Sequence, residues 1–164
     1  MKNLAPIFPV LLALLAAPAG LPGKSPYLLY LNGPSLSKHF GPYHRQLNDF
    51  HLGLGIEAFH KKNRWLLGCH GHFMFNDSKD KPAYWLGLAA GYLMGDPKKL
   101  WGSLAVIGGG IKKNEYNQGR FSFFGLPYLS LGYGRIGLNA GYIPKIAKVS
   151  YPLLIFQLKI LVYP

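Results

Sequence analysis

At 164 residues the chain has the length of one domain, and it is 49% hydrophobic, only 15% charged, 15% aromatic and holds 21 glycines. A water-dissolved domain usually carries about a quarter charged residues, which argues against an ordinary globular surface, and no apolar run reaches the roughly 18 residues that a spanning helix needs. The formal net charge of +12 comes from Lys and Arg scattered in ones and twos between apolar runs. With no basic helix or stripe, that pattern speaks against nucleic acid and for an anionic lipid surface.

The chain opens with Lys2 and an apolar run over 7–17, followed by Ala17-Pro18-Ala19. A positive start, a short apolar stretch and a small-x-small pattern are the marks of a signal peptide. Residues 1–19 are therefore expected to be removed after Ala19, leaving 20–164 as the exported domain. The lone Cys69 cannot form an intramolecular disulfide and reads as a small apolar wall residue.

From there on the sequence alternates with period two, the pattern of strands that face lipid on one side and a lumen on the other. A first strand is expected over 27–40. In 51–59, Leu52, Leu54, Ile56 and Ala58 oppose His51, Gly53, Glu57 and Phe59. In 65–76, Trp65, Leu67, Cys69, Phe73 and Phe75 oppose Gly68, His70, His72 and Asn76. Residues 84–94 set Tyr84, Leu86, Leu88, Ala90 and Tyr92 against Trp85, Gly87, Ala89 and Gly91, and 100–111 repeat the idea. Segments 121–131, 136–142 and 154–162 complete a set of eight, an even number as a single-chain bacterial barrel requires. The expected fold is all-β, an eight-stranded antiparallel transmembrane barrel of the outer-membrane type.

The connections alternate in length. Tight turns are expected at 61–64, 95–99 and 132–134, and longer polar segments at 41–49, 77–82, 112–120 and 145–150. Such barrels keep short turns in the periplasm and long loops outside. The outer end then carries Lys38, Arg45, Lys79, Lys81, Lys112, Lys113, Arg120, Lys145 and Lys148, placed to meet lipopolysaccharide phosphates.

Fold alone assigns no chemistry. There is no Gly-rich phosphate loop, HExxH or GxSxG. His70 and His72 share a face, but without a further ligand at useful spacing they read as lumen polars rather than a metal site, and no metal or cofactor is expected. Asp77-Ser78 and His39 fall at one membrane level near the outer end. A base, a hydroxyl and a carboxylate at one level suit acyl transfer.

The stretch 125–144, GLPYLSLGYGRIGLNAGYIP, resembles the matching part of the PagP-type lipid A palmitoyltransferases: a Pro, then S-x-GYG, then YIP, without a gap. Phe75-Asn76-Asp77-Ser78 with Gly91-Tyr92 is similar to the family's F-x-D-S and later GY, and His51-Leu52-Gly53-Leu54-Gly55 resembles its Gly-rich second strand. The resemblance implies an eight-stranded outer-membrane barrel that moves an acyl chain from a glycerophospholipid to lipid A with a His, an Asp and a Ser near the outer rim. It implies roles for Asp77 and Ser78, and for Pro127 and Pro144 as sites where weakened strand pairing admits lipid, since proline removes a ladder donor. The first strand departs from the pattern. Where the family has Trp-His-x-x-Phe, this chain has Leu36-Ser37-Lys38-His39-Phe40, so His39 serves only through a local shift and Ser37 takes the ungapped position. The family's amphipathic helix before that strand has no counterpart in 20–26.

The expectation is therefore a monomeric lipid A acyltransferase of a Gram-negative outer membrane, with His39, Asp77 and Ser78 catalytic. Its partners are a phospholipid donor and lipopolysaccharide as acceptor, with Pro127, Pro144, Gly87 and Ala89 at the acyl chain. The rivals are a non-enzymatic barrel, structural or lipopolysaccharide-binding, and a lipid A deacylase. A continuous apolar lumen favours an enzyme; a lumen plugged by side chains and salt bridges favours a non-enzymatic barrel.

Overall fold

The computed structural model describes residues 25–40, 47–113, 119–143 and 152–163. The strands are β1 (Tyr27–His39), β2 (Phe50–His51), β3 (Gly53–Lys62), β4 (Trp65–Met74), β5 (Ala83–Gly95), β6 (Leu100–Lys113), β7 (Phe121–Tyr133), β8 (Ile136–Ile143) and β9 (Leu153–Tyr163). All neighbours are antiparallel, and β1 pairs with β9 to close the sheet into a barrel. The short β2 and β3 follow one another along β1 and form a single stave, so the barrel has eight. Closure leaves no sheet edge, which is why such a form can stand in hydrocarbon.

Each stave presents the expected faces. Leu54, Leu67, Leu88, Leu104, Leu131, Ile136 and Ile160 form part of an exposed apolar belt, while Glu57, His70, His72, Asn139, Gln157 and Lys159 are buried in the lumen. In a water-dissolved protein such a belt would be far too large a bare apolar surface. Around a closed barrel it is the lipid-facing band of an outer-membrane protein.

Several boundaries differ from expectation. The second stave is interrupted at Leu52, because the Asn76 side chain takes over as its partner. The Asn76 Oδ1 accepts from Leu52 N at 2.6 Å, and its Nδ2 donates to the Phe50 carbonyl at 3.0 Å. The third stave stops at Met74 rather than Asn76 for the same reason. The short turns are tighter than expected, since Lys62 still pairs with Trp65 and Tyr133 with Ile136. Asn63 and Gly134 take the positive φ values, 58° and 55°, that two-residue hairpins demand. β1 bulges against β9 between Asn32 and Ser35, at Gly33-Pro34, where a missing proline N–H costs no ladder bond.

The longer connections, including His39 to Phe50 and Met74 to Ala83, lie at one end, taken as the outer end. The segment expected to be the signal peptide lies outside the described residues.

Candidate functional site

His39 is the last residue of β1 and is 5% exposed. Ser37 and His39 both point inward, as an i, i+2 pair on a strand must. The chain leaves β1, returns, and pairs again through Leu36–Phe50, after which Ser37 N donates to the Asp49 carbonyl at 2.7 Å. Asp49 is thereby held across from the end of β1, and its Oδ1 lies 3.1 Å from His39 Nδ1. A carboxylate can only accept, so Nδ1 carries the hydrogen. In the neutral ring Nε2 is then an acceptor, and Ser78 Oγ donates to it at 2.9 Å.

Ser78 reaches this place through the loop after β4. Asp77 N donates to the Lys81 carbonyl at 2.7 Å, while Asp77 Oδ1 accepts from Lys79 N at 2.8 Å and Lys81 N at 3.0 Å. Asp77 Oδ2 is 3.6 Å from Lys113 Nζ. An aspartate that satisfies its own loop in this way is a turn former, and it leaves Ser78 turned toward the imidazole. The expected group of His39, Asp77 and Ser78 thus occupies one place, but the imidazole rests on Asp49, and Asp77 shapes the loop and pairs with Lys113. Asp49 does not stand out in the sequence because it ends the polar connection expected over 41–49. Extending the Leu36–Phe50 pairing outward brings Asp49 opposite Ser37, one step from His39.

A second pair stands beside the first: Ser37 Oγ is 2.7 Å from His51 Nε2. Ser37, His51, Asp77, Ser78 and Lys113 form the polar mouth of a cavity of about 280 Å³ whose walls include Met74, Trp85, Ile107, Ile111, Phe124 and Leu126. His70, Tyr128, Asn139 and Gln157 line it further in. Beyond them the lumen is filled. Lys159 Nζ donates to Glu57 Oε2 at 3.0 Å and to Ser130 Oγ at 3.1 Å, and Asn139 Nδ2 donates to Glu57 Oε1 at 2.5 Å. The ammonium lies 4.4 Å from the Tyr30 ring centroid and 5.2 Å from that of Trp101. The lumen is neither continuously apolar nor wholly plugged: an apolar pocket stands on a charged floor.

Ala89 belongs to the packed core around that floor, with Trp101 and Leu161. Neither it nor Gly87 is among the described residues lining the cavity. Pro127 is exposed on β7, and the β7–β8 ladder ends beside it, at Tyr128–Gly141. Leu126 and Pro127 stand opposite Ile143 and Tyr142 of β8 without pairing with them, whereas β7 pairs with β6 from Phe121 to Tyr133. Phe124 and Leu126 of β7 line the cavity, and Phe123, 92% exposed, lies at its edge. Pro144 lies outside the described residues. His72 stacks on Trp85 at 4.7 Å and His70 meets Asn32 at 3.2 Å. Among the described residues no three His, Cys, Asp or Glu side chains gather as metal ligands.

No family model matches the chain, and no curated protein matches it at a significant level. The solved structures similar to it include two of note. One is the crystal structure of Neisserial surface protein A, with 16% identity and a TM-score of 0.45, covering 84% of this chain and 98% of that one. The other is that of Ail, the attachment invasion locus protein of Yersinia pestis, with 17% identity and a TM-score of 0.41, covering 82% and 95%.

Proposed function

We propose that this barrel is an outer-membrane enzyme that takes an acyl chain from a glycerophospholipid and passes it to lipid A. The observation that carries this reading is the hydrogen bond from Ser78 to His39 at the mouth of an apolar pocket. An imidazole that holds a hydroxyl is a general base in waiting, and the pocket beneath offers a dry well for a hydrocarbon chain. The unpaired step at Leu126 and Pro127 of β7 supports lateral entry from the bilayer. Basic side chains at the rim, among them Lys79 and Lys81, suit the phosphates of the acceptor. The resemblance of 125–144 to the PagP-type enzymes points to the same donor and acceptor.

Mass analysis of lipid A from cells with and without the protein tests this directly. Cells expressing it should gain one acyl chain per lipid A. Losing a positioned base costs about 10²–10⁴ in rate, so His39→Ala and Ser78→Ala should each abolish the gain while the protein still migrates as a folded barrel on unboiled gels. Loss of a chain without donor phospholipid would mark a deacylase instead. A second reading, a non-enzymatic lipopolysaccharide-binding barrel, is favoured by the charged floor, which fills the inner part of the lumen as a structural barrel would. Unchanged lipid A in every strain would leave that reading standing.

A further inference from the structure

We propose that Ser78 is a nucleophile that carries the acyl chain as an ester, with Asp49 as the positioning residue for His39, so that water as well as a lipid can discharge it. The proposal rests on the acyl-lipid reading above and specifies its chemistry. Asp49, His39 and Ser78 form an unbroken line, with heavy-atom steps of 3.1 Å and 2.9 Å. That is the order carboxylate, imidazole, hydroxyl in which a serine is activated.

The short segment before β2 acts as a jig for both ends of this line. Asp49 is pinned to β1 through its carbonyl, and Asn48 N donates to the Ser78 carbonyl at 2.8 Å. One neighbour thus orients the imidazole while the other fixes the serine. Asn48 Oδ1 also accepts from Phe50 N at 3.0 Å, which stiffens the segment. Asp77 stands outside this line: its Oδ1 accepts from two amides of its own loop, and its buried Oδ2 makes no hydrogen bond and faces Lys113 at 3.6 Å. Ser78, unlike Asp49, lines the cavity, so an ester carbonyl whose chain occupies that cavity comes to the hydroxyl.

The step balances without a further reagent. As Ser78 Oγ bonds to the carbonyl carbon, its proton passes to His39 Nε2. The ester C–O bond to glycerol then breaks, and the departing oxygen takes that proton. In the second half, a water or an acceptor hydroxyl gives its proton to His39 while attacking the acyl-serine, and Ser78 Oγ leaves and recovers it. Asp49 stays ionised throughout and accepts from Nδ1.

The experiment uses the full chain folded in detergent, a fluorophosphonate probe and intact-mass readout with peptide mapping. The wild-type protein should take up one probe at Ser78, and Ser78→Ala none. Asp49→Asn should label about 10² times more slowly, and Asp49→Glu should recover much of the rate. With a phospholipid and no lipid A, the wild type should release free fatty acid; Asp49→Asn should lower kcat with KM little changed. Should Asp49→Asn not fold, Asp49→Ser replaces it. Absence of labelling with lipid A acylation intact overturns the acyl-serine and leaves the acyltransferase reading standing. Absence of both overturns the two together. Wild-type labelling rates in Asp49→Asn remove Asp49 from the role.

Discussion

Two buried charges decide what the inner lumen tolerates. Glu57 and Lys159 stand on β3 and β9, the two staves that flank β1, each hydrogen-bonded to more than its partner. Taking away one member leaves the other unpaired in a desolvated place, which costs about 3–5 kcal/mol, whereas replacing both by apolar groups of similar size is often neutral. Lys159→Met should therefore lower the unfolding free energy in urea by about that amount, and Glu57→Leu combined with Lys159→Met should recover most of it. A loss in the double variant equal to the sum of the Lys159→Met and Glu57→Leu losses would mean that the pair contributes nothing as a pair. At this scale the sequence was only partly readable. It placed His39, Asp77 and Ser78 at one level because all three fall at the outer ends of strands, but strand ends say nothing of contacts made by loops. Asp49 reaches the imidazole through a hairpin register, and Asp77 turns away because two backbone amides of its own loop compete for it.

Strands were legible nearly end to end, because a bilayer outside and a narrow lumen inside force strict alternation upon them. The failures fall where a side chain replaces a ladder partner, as Asn76 does at Leu52, since no pattern of apolar residues announces that exchange. The unpaired part of β7 was visible beforehand only through Pro127, whose missing N–H is a local fact of the sequence. Its consequence reaches Leu126 as well, since neither residue pairs with Ile143 or Tyr142 opposite on β8. If lipid enters there, Pro127→Ala combined with Pro144→Ala should restore donors, tighten the wall and slow acylation of lipid A, while the gel mobility of the unboiled protein stays that of a closed barrel. Unchanged acylation rates in the double variant would reject this route.

For the molecule as a whole, the two halves of the lumen do different work. The outer half holds an open apolar pocket, and the inner half is packed by Tyr30, Phe59, Trp101, Tyr128 and Leu161 around the Glu57–Lys159 tie. A membrane that kept its solutes apart would lose that separation to any barrel with a continuous water path. Here the floor stands in its way: an ion entering from outside meets a paired ammonium and carboxylate beside the Tyr30 and Trp101 rings. The protein should consequently behave as an electrical insulator. Reconstituted into a planar bilayer under an applied voltage, it should pass no steady single-channel current, whereas Glu57→Ala combined with Lys159→Ala, with the tie cut back to small side chains, should let intermittent current through. A cell can then carry many copies of this barrel in its envelope without becoming leaky.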